Sequence, residues 1–532
     1  MPAFQKYVRV NDSDIALAIR KGVGPMQRLF DPKHDRLPFF WNMMSGGAFF
    51  GNRHHPTYSI SHVPGRWLNA LLSAEDALGV PVDEAAVDAL RRWTYESVEE
   101  KGLGLPCCMD TETFQKTGQC DLHNLREVMH ACYALVKYRS DERASSIAKT
   151  VIDSVNRYYD FENARFKKEL FLRERGGTLT GFLEPDYTFP MAFGRYIGPL
   201  VKLYRASGLN EALDQALRLK DTCFRLVLDE AGGYDAKLFG FHTHSTTAML
   251  SSLAQLGETV GDMAILERVK AFLENGLRQI ATDFGWCLEF YDRDNLGGEA
   301  NNTADILETC LILGRAGYAG FYERAELILR AHLLPAQLLD AGFVPDRMDA
   351  EDETTYRIAR DTIGAFGFPC PWGHEYEPGS PISFNWDIVG GAVGGLCEAW
   401  RAIAEERGGL LSVNLLFGYE DGRAAVTGPY ENGGTLTLTP RKAYPTVRVR
   451  LSDTFEEAGI RVEGCDRHCV RDGFLYLWRP AAGETIRVSL PMRDAQREYR
   501  FRDHVFRVRF HGQRVTGMSS AGKRLCFFPE ID

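Results

Sequence analysis

The sequence lacks the features of a membrane, secreted or nucleic-acid-binding protein. Its first 22 residues mix charged and apolar side chains without an uninterrupted apolar run, so neither a signal peptide nor a membrane anchor is expected. The 12 cysteines are scattered among 532 residues, and a chain of this length needs no disulfide staples, so most should be buried thiols. The net charge of −10 disfavours a nucleic-acid groove. We therefore expect a cytoplasmic protein with no nucleic-acid or membrane partner, and a homodimer remains an open alternative to a monomer.

Several catalytic signatures are also absent. No Cys-x-x-Cys occurs, and the adjacent Cys107 and Cys108 lack the two-residue gap that is usual for structural zinc. There is no Gly-x-Ser-x-Gly, and the Gly-Gly pairs lack the strand-then-helix context of a phosphate-binding loop. We therefore expect neither a metal ion nor another cofactor.

Amphipathic helix pairs recur along the first 400 or so residues. Apolar residues return at helical spacing, and glycine marks the junctions, as at Gly79, Gly208 and Gly257. The pairs begin, each after a polar, aromatic and Gly-rich loop, near Trp67, Leu122, Pro190, His244, Thr303 and Ile388. This repetition predicts a mainly α fold, an (α/α)6 toroid over residues 1–408. Residues 1–60 fit neither this pattern nor that of the next domain, and their aromatic and Gly-rich segment, residues 39–50, should either cap the barrel or add strands to the next domain.

The pattern changes after the last predicted helix, residues 388–406. Short alternating segments bounded by Gly, Pro and Asp follow up to the C-terminus. Their close spacing predicts a β-sandwich over residues 409–532. Its expected role is to brace the toroid.

The loops before the inner helices carry most of the polar and aromatic residues. If these helices run in one direction, the loops meet at one mouth of the toroid, where a rigid scaffold can position a binding site. Aromatic rings stack on sugars, carboxylates bind hydroxyl groups, and a carboxylic acid can protonate a leaving oxygen. A carbohydrate ligand is therefore predicted. The candidate binding residues are His123, Asp186, Tyr187, His242, His244, Asn301 and Trp386.

Each candidate also has a structural interpretation. Asp is favoured at helix N-caps, and this applies most strongly to Asp121 and Asp186. His242 and His244 could equally be hydrogen-bonded imidazoles with a structural role. The site hypothesis therefore depends on the loops meeting in space.

Runs in both predicted domains resemble one enzyme family. Residues 470–478 (VRDGFLYLW), 483–492 (GETIRVSLPM) and 412–416 (SVNLL) resemble the sandwich of glycoside hydrolase family 127, whose founding activity is β-L-arabinofuranosidase. Residues 66–70 (RWLNA) resemble its first inner helix, and His244 falls where that family places a substrate-contacting histidine. The resemblance covers nearly the whole chain in order and architecture.

The chain departs from that family at the catalytic centre. The family's nucleophile is a cysteine held on zinc by a Glu-x-Cys pair and a later Cys-Cys pair. Here Glu299-Ala300-Asn301 stands at the first pair, and Phe-Asn-Trp-Asp occupies residues 384–387, where the second is expected. Without thiolates, both the metal site and the nucleophile are lost. The resemblance therefore implies a divergent member that uses carboxylates, with Glu299 first and Glu289, Asp292 or Asp387 as its partner.

The function predicted from these residues is hydrolysis of a plant- or microbe-derived oligosaccharide. Carboxyl groups roughly 5 Å apart would retain the anomeric configuration, and a separation of roughly 6.5–9.5 Å would invert it. A polysaccharide lyase or unsaturated-uronyl hydrolase, with Tyr, His or Asp as the base, is one alternative. A catalytically inactive sugar-binding protein is another, because the family's reactive residues are missing.

Overall fold

A computed structural model describes most of the chain. The described residues are 14–44, 55–99, 102–180, 188–293, 295–339, 341, 357–378, 380, 382–522 and 525–531. Two candidate binding residues, Asp186 and Tyr187, lie outside these ranges.

The α-helices of the described residues alternate between an inner and an outer layer. In chain order they are α1 (Ile15–Arg28), α2 (Ser59–Leu78), α3 (Glu84–Glu99), α4 (Leu125–Arg139), α5 (Glu142–Tyr158), α6 (Lys168–Arg175), α7 (Ile197–Ser207), α8 (Asn210–Leu226), α9 (Ala236–Phe239), α10 (Thr243–Val260), α11 (Met263–Glu274), α12 (Ala300–Arg315), α13 (Gly320–Ile328), α14 (Ile358–Thr362) and α15 (Trp386–Ile403). None of them is both long and apolar enough to cross a membrane.

Six inner helices close into a ring. The helices α2, α4, α7, α10, α12 and α15 contact one another in this order, and α15 returns to α2. Inner helices are buried around most of their circumference, as α10 is from Thr243 to Gly257, whereas the outer α5 buries only one apolar face. Left-handed glycines at the C-caps, such as Gly79 and Gly208, end α2 and α7. The structure confirms the predicted (α/α)6 toroid.

The N-terminal segment contributes a helix that the sequence analysis did not predict. Helix α1 packs on α15 and α2 and supplies the sixth outer helix. Its burial of Ile15, Ile19, Val23 and Met26 on one face explains this position. The segment therefore completes the ring.

The strands are short and concentrate in the C-terminal part. In chain order they are β1 (Phe30–Asp31), β2 (Leu37–Pro38), β3 (Trp41–Met44), β4 (Cys107–Met109), β5 (Lys116–Cys120), β6 (Tyr159–Asp160), β7 (Arg165–Phe166), β8 (Thr178–Leu179), β9 (Ile382–Asn385), β10 (Ala404–Arg407), β11 (Leu410–Val413), β12 (Tyr419–Glu420), β13 (Ala424–Thr427), β14 (Thr435–Pro440), β15 (Thr446–Arg450), β16 (Arg461–Glu463), β17 (His468–Arg471), β18 (Phe474–Trp478), β19 (Ile486–Ser489), β20 (Asp494–Phe501), β21 (His504–His511) and β22 (Arg514–Met518).

Two five-stranded sheets form the C-terminal β domain. Their strand orders are β10-β11-β15-β18-β17 and β12-β13-β14-β19-β16. Alternate residues face the core, as Leu436 and Leu438 do in β14. The last inner helix ends at Ile403, earlier than predicted, and β10 starts directly at Ala404 and pairs with β11. The β domain therefore begins before the predicted residue 409.

A third sheet, β20-β21-β22, packs on loops of the barrel. Phe501 and Phe506 share a buried cluster with Phe284, Trp286 and Trp372 from loops between barrel helices. The β domain is thus attached to the toroid close to the loops that precede α12 and α15.

Buried ion pairs also join the two parts. Arg450 of β15 donates to the carboxylates of Glu323 and Glu326 on α13, and its Nε donates to the carbonyl oxygen of Asn414 at 2.6 Å. Arg450 and Glu326 are almost completely buried. A buried charge must be paired, so this contact fixes how the β domain sits on the outer helices.

Candidate functional site

A cavity of about 440 Å3 opens where the inner helices begin. Its volume suits a small-molecule ligand. Six of the predicted site residues line it: His123, His242, His244, Glu289, Glu299 and Asp387. They come from the starts of different inner helices or from the loops before them, which is why residues far apart in sequence meet.

Glu299 lies at the N-cap of α12 and is almost completely buried. Asn301 Nδ2 donates to its Oε1 at 2.8 Å, and His244 Nδ1 lies 3.4 Å from the same oxygen. His242 Nε2 lies 3.7 Å from Oε2. Burial by itself would raise the pKa of Glu299, but His242, the charge of Arg66 and the Asn301 hydrogen bond together lower it. Glu299 is therefore a carboxylate at neutral pH.

Glu289 has the opposite electrostatic environment. Its side chain is 22% exposed, and Arg293 Nη1 lies 3.7 Å from its Oε2. Burial, followed by the negative charges of Glu299 and Asp387, raises its pKa to about 8 in spite of Arg293. Glu289 is therefore a protonated carboxylic acid at neutral pH.

Asp387, in the first turn of α15, is held on one side by an arginine and a histidine. Arg66 Nη1 donates to its Oδ2 at 2.7 Å, and His62 Nε2 lies 3.3 Å from that oxygen. Its Oδ1 is buried and has no hydrogen-bond partner among the described residues. Asp387 therefore keeps one oxygen for a further donor at the cavity.

Beneath the cavity, the carboxylate of Glu127 binds three arginines. Glu127 Oε1 accepts from Arg66 Nε at 2.9 Å, from Arg126 Nη1 at 3.0 Å and from Arg195 Nη2 at 2.6 Å. Arg195 Nη1 also donates to His123 Nε2 at 2.9 Å. Burial would raise the pKa of Glu127, but the three guanidinium groups hold it well below its ordinary value. The floor of the site is therefore a fixed network of charges.

His244 is the least satisfied polar group of the site. Its ring is fully buried, and neither nitrogen makes a hydrogen bond within the described part of the chain. Its Nε2 lies 3.3 Å from Oδ2 of Asp305, a carboxyl group whose pKa burial raises to about 7. Burial, then the charges of Arg195, Arg66 and Arg126, lower the pKa of His244 well below its ordinary value. The imidazole is neutral.

The sequence analysis missed His62, Arg66, Glu127 and Asp305. A signal was present for the first two, because His62 and Arg66 stand four residues apart in a helix whose neighbours are apolar. Charged residues at core positions need buried partners of opposite charge. Clusters of such buried charged groups are found most often at functional sites.

Three predicted residues do not reach the cavity. Asp292 is exposed, so the structure does not support it as a catalytic partner. Trp386 is fully buried and packs in the core, where its carbonyl oxygen accepts from Trp67 Nε1 at 2.7 Å. Asn301 is buried and supports Glu299 instead of lining the cavity. Asp121, for which we also considered a structural role, caps a turn by accepting from His123 N at 2.9 Å.

The thiolate zinc centre of the resembling family does not fit these residues. No cysteine lines the cavity in the part of the chain that the structure describes, and burial raises the pKa of Cys287, on the loop before α12, to about 12. A different set of donors is present, since His242, His244 and Glu299 offer ligand atoms within 4.8 Å of one another. A transition-metal ion accepts such donors, so the involvement of a metal requires a direct test.

Comparison with known proteins supports the fold. No protein-family model matches the sequence, and no curated protein matches it. Among solved structures, a family 127 β-arabinofuranosidase is 13% identical with a TM-score of 0.57, over 96% of this chain and 84% of its own. A family 127 β-L-arabinofuranosidase from Geobacillus stearothermophilus T6 is 14% identical with a TM-score of 0.54, over 87% and 78%. The resemblance predicted from the sequence is therefore confirmed at the level of the fold.

Proposed function

We propose that this protein is a glycoside hydrolase in which Glu289 is the general acid and Glu299 the charged carboxylate. One observation carries the proposal: these two groups line one cavity, and their environments shift their pKa values in opposite directions. Such a divergence separates the acid from the base in an active site. The fold, shared with arabinofuranosidases, agrees with this function.

In this reaction the glycosidic C–O bond breaks towards the leaving oxygen. Glu289 donates its proton to that oxygen, which takes the bonding electrons and departs as an alcohol. Glu299 faces the positive charge that develops at the anomeric carbon, either as the nucleophile or as the base that deprotonates water. Asp387 and the neutral His244 offer an acceptor and polar ring nitrogens to sugar hydroxyl groups.

The substrate class that we propose is a plant- or microbe-derived oligosaccharide with a terminal furanose. Because the two similar structures are a β-L-arabinofuranosidase and a β-arabinofuranosidase, 4-nitrophenyl β-L-arabinofuranoside is the first probe. Pyranosides and uronides complete a panel of 4-nitrophenyl glycosides. The anomer released first, followed by NMR, distinguishes retention from inversion.

Substitution of each carboxyl group tests its role. Glu289→Gln and Glu299→Gln should each lower kcat by about 10²- to 10⁴-fold while the sugar still binds. In Glu289→Gln, kcat should fall less for an activated 4-nitrophenyl glycoside than for an unactivated alkyl glycoside. The alkyl alcohol is the poorer leaving group and depends more on protonation by the acid. The matched control is Asp292→Asn, an exposed position on the same loop, which should retain full activity. Full activity of either glutamine variant would remove that residue from the mechanism.

The alternative functions predict different results. A lyase needs an available base, but burial, then Asp387 and Asp121, raise the pKa of Tyr58 at the cavity, so this tyrosine is a poor proton acceptor. Release of an ultraviolet-absorbing product from a uronic-acid polymer would nevertheless favour the lyase. Thermal stabilisation by a sugar without cleavage of any glycoside would favour an inactive binding protein.

We also propose a cytoplasmic location. All 12 cysteines are free thiols, which agrees with a reducing compartment. Cell fractionation with an epitope-tagged chain tests this location. Homodimer formation stays a prediction, to be tested by light scattering coupled to size-exclusion chromatography.

A further inference from the structure

The hairpin of β20 and β21 reaches from the β domain to the loop that carries Glu289. We call residues 288–293 the acid loop. Arg502, at the hairpin tip, has a left-handed φ of 51°. Its Nη2 donates to the carbonyl oxygen of Tyr291 at 2.7 Å, and its Nη1 donates to that of Arg293 at 3.3 Å. One guanidinium group thus bridges two carbonyl groups of a loop 209 residues earlier in the chain.

The base of this contact is apolar and buried. Phe501 meets Trp286 edge to face at 4.9 Å between ring centroids, and both side chains are almost completely buried. The Arg502 guanidinium also lies 5.1 Å from the ring centroid of Tyr291. The hairpin tip therefore has a fixed position from which to hold the acid loop.

Other hydrogen bonds hold the first half of the acid loop to the barrel. The amide of Glu289 donates to Gly297 O at 3.0 Å, and its carbonyl accepts from Thr243 N at 3.1 Å. Tyr291 N donates to Phe241 O at 2.8 Å. The second half, from the carbonyl of Tyr291 to that of Arg293, is the part that Arg502 holds.

Arg293 connects the second half of the loop to the acid. Its guanidinium lies 3.7 Å from the ring centroid of Phe290, and its Nη1 lies 3.7 Å from Glu289 Oε2. A displaced Arg293 backbone would move this cation away from the carboxyl group. Sub-ångström placement of a catalytic group governs its rate.

We propose that Arg502 is a positioning residue: by holding the carbonyl groups of Tyr291 and Arg293, it keeps the Glu289 carboxyl group in place at the cavity. Its catalytic consequence rests on the proposed glycosidase function. The restraint of the acid loop by Arg502 does not depend on that function, and it can be measured separately.

The effect on pH dependence follows from the groups around Glu289. Arg293 faces it from the acid loop, Glu299 from the N-cap of α12 and Asp387 from α15, and His242 at the start of α10 lines the same cavity. A released loop changes two influences on the pKa of Glu289: water entry weakens the burial that raises it, and the retreat of Arg293 removes a charge that lowers it. The alkaline limb of the pH profile should therefore shift from its wild-type position, to lower pH where hydration dominates and to higher pH where the loss of Arg293 dominates.

The experiment compares Arg502→Ala and Arg502→Lys with Arg500→Ala in the full-length protein. Arg500 is the matched control, because it lies on the same hairpin, is 73% exposed and, among the described residues, pairs only with Glu498, at 3.6 Å between Nη2 and Oε2. Hydrogen–deuterium exchange should show faster uptake in residues 288–293 for Arg502→Ala and no change for Arg500→Ala. With 4-nitrophenyl β-L-arabinofuranoside or the best glycoside of the panel, kcat should fall about ten- to a hundredfold with KM nearly unchanged. Arg502→Lys should be intermediate.

Two results would overturn the proposal. One is unchanged deuterium uptake of the acid loop in Arg502→Ala. The other is faster uptake with kcat and the pH profile of the wild type, which would mean that the restraint has no catalytic effect. If the wild type cleaves no glycoside, the glycosidase proposal and the catalytic role of Arg502 both fail, and exchange still decides whether the hairpin holds the loop.

Discussion

Replacement of Glu289 by Gln should stabilise the fold at alkaline pH while it removes activity. The rise of its pKa from 4.5 to about 8 means that ionisation is costly in the folded state. Below pH 4.5 the Glu289 carboxyl group is protonated in both the folded and the unfolded chain, so it does not lower the free energy of unfolding there. As the pH rises from 4.5 to about 8, the unfolded state loses its proton first, and stability is lost.

The shift corresponds to about 5 kcal/mol as an upper limit, fully expressed above pH 8. Gln cannot ionise and avoids this loss. The stability difference between variant and wild type should therefore be near zero at pH 4 and should grow towards that limit at pH 9. The charges of Glu299 and Asp387 supply part of the shift, so Glu299→Gln should lower the pKa of Glu289.

Urea denaturation at a series of pH values measures this difference. Asp292→Asn is the control, because this exposed carboxyl group on the same loop should give a small difference at every pH. In parallel, kcat/KM of the wild type should fall above about pH 8, where Glu289 loses its proton. A stability difference that does not depend on pH, or an alkaline limb that persists in Glu289→Gln, would refute the assignment of Glu289 as a protonated acid.

Three further predictions concern metal, packing and the domain contact. Chelation with EDTA or phenanthroline should leave turnover unchanged, because no proposed step uses a metal; a loss that Zn²⁺ restores would contradict this and assign the ion to the imidazole and carboxylate donors at the cavity. Gly65→Ala should destabilise the fold by at least about 1–3 kcal/mol in urea melts, because the added Cβ would lie 1.7 Å from the carbonyl oxygen of Glu127. In the control Gly320→Ala the added Cβ meets open space, so this variant should not be destabilised by a clash. Arg450→Ala should cost up to about 3–5 kcal/mol, because it removes a buried cation from the buried Glu326, which keeps only Arg330 among its described cationic partners, and from the partly buried Glu323. The exposed Arg471→Ala should cost less than about 1 kcal/mol, and equal effects in the two variants would show that the buried pair contributes little.

Local patterns in the sequence were sufficient for the architecture. Helical spacing identified the outer helices because each buries one apolar face, the inner helices were recognised as their apolar partners, and alternation identified the strands of the two sheets. The boundary after α15 was placed too late, since residues 405–407 carry charged side chains that suit either a helix end or an edge strand. Helix α1 was missed as the sixth outer helix, because only the closed ring shows that one outer position is vacant without it.

The site was only partly predictable. Loop position brought Glu289, Glu299 and the histidines into consideration, since the loops before the inner helices meet at the same mouth, and the resemblance to the family put Glu299 first. The same reasoning selected Asp292 and Trp386, because a sequence does not say which side of a loop faces the cavity. Arg66 was missed as a site residue. It lies in residues 66–70, which the sequence analysis noted only for their resemblance to the family's first inner helix, and it forms part of the charged network beneath the cavity.

What the sequence determined by itself is the succession of amphipathic segments and the polar content of the loops, because both depend on spacing along the chain. The tertiary structure alone decided the ionisation of the two glutamates, since burial and charges from α2, α10, α12 and α15 act on them through space. It alone also brought the β20–β21 hairpin onto the acid loop. Contacts between residues hundreds of positions apart leave no trace in local spacing.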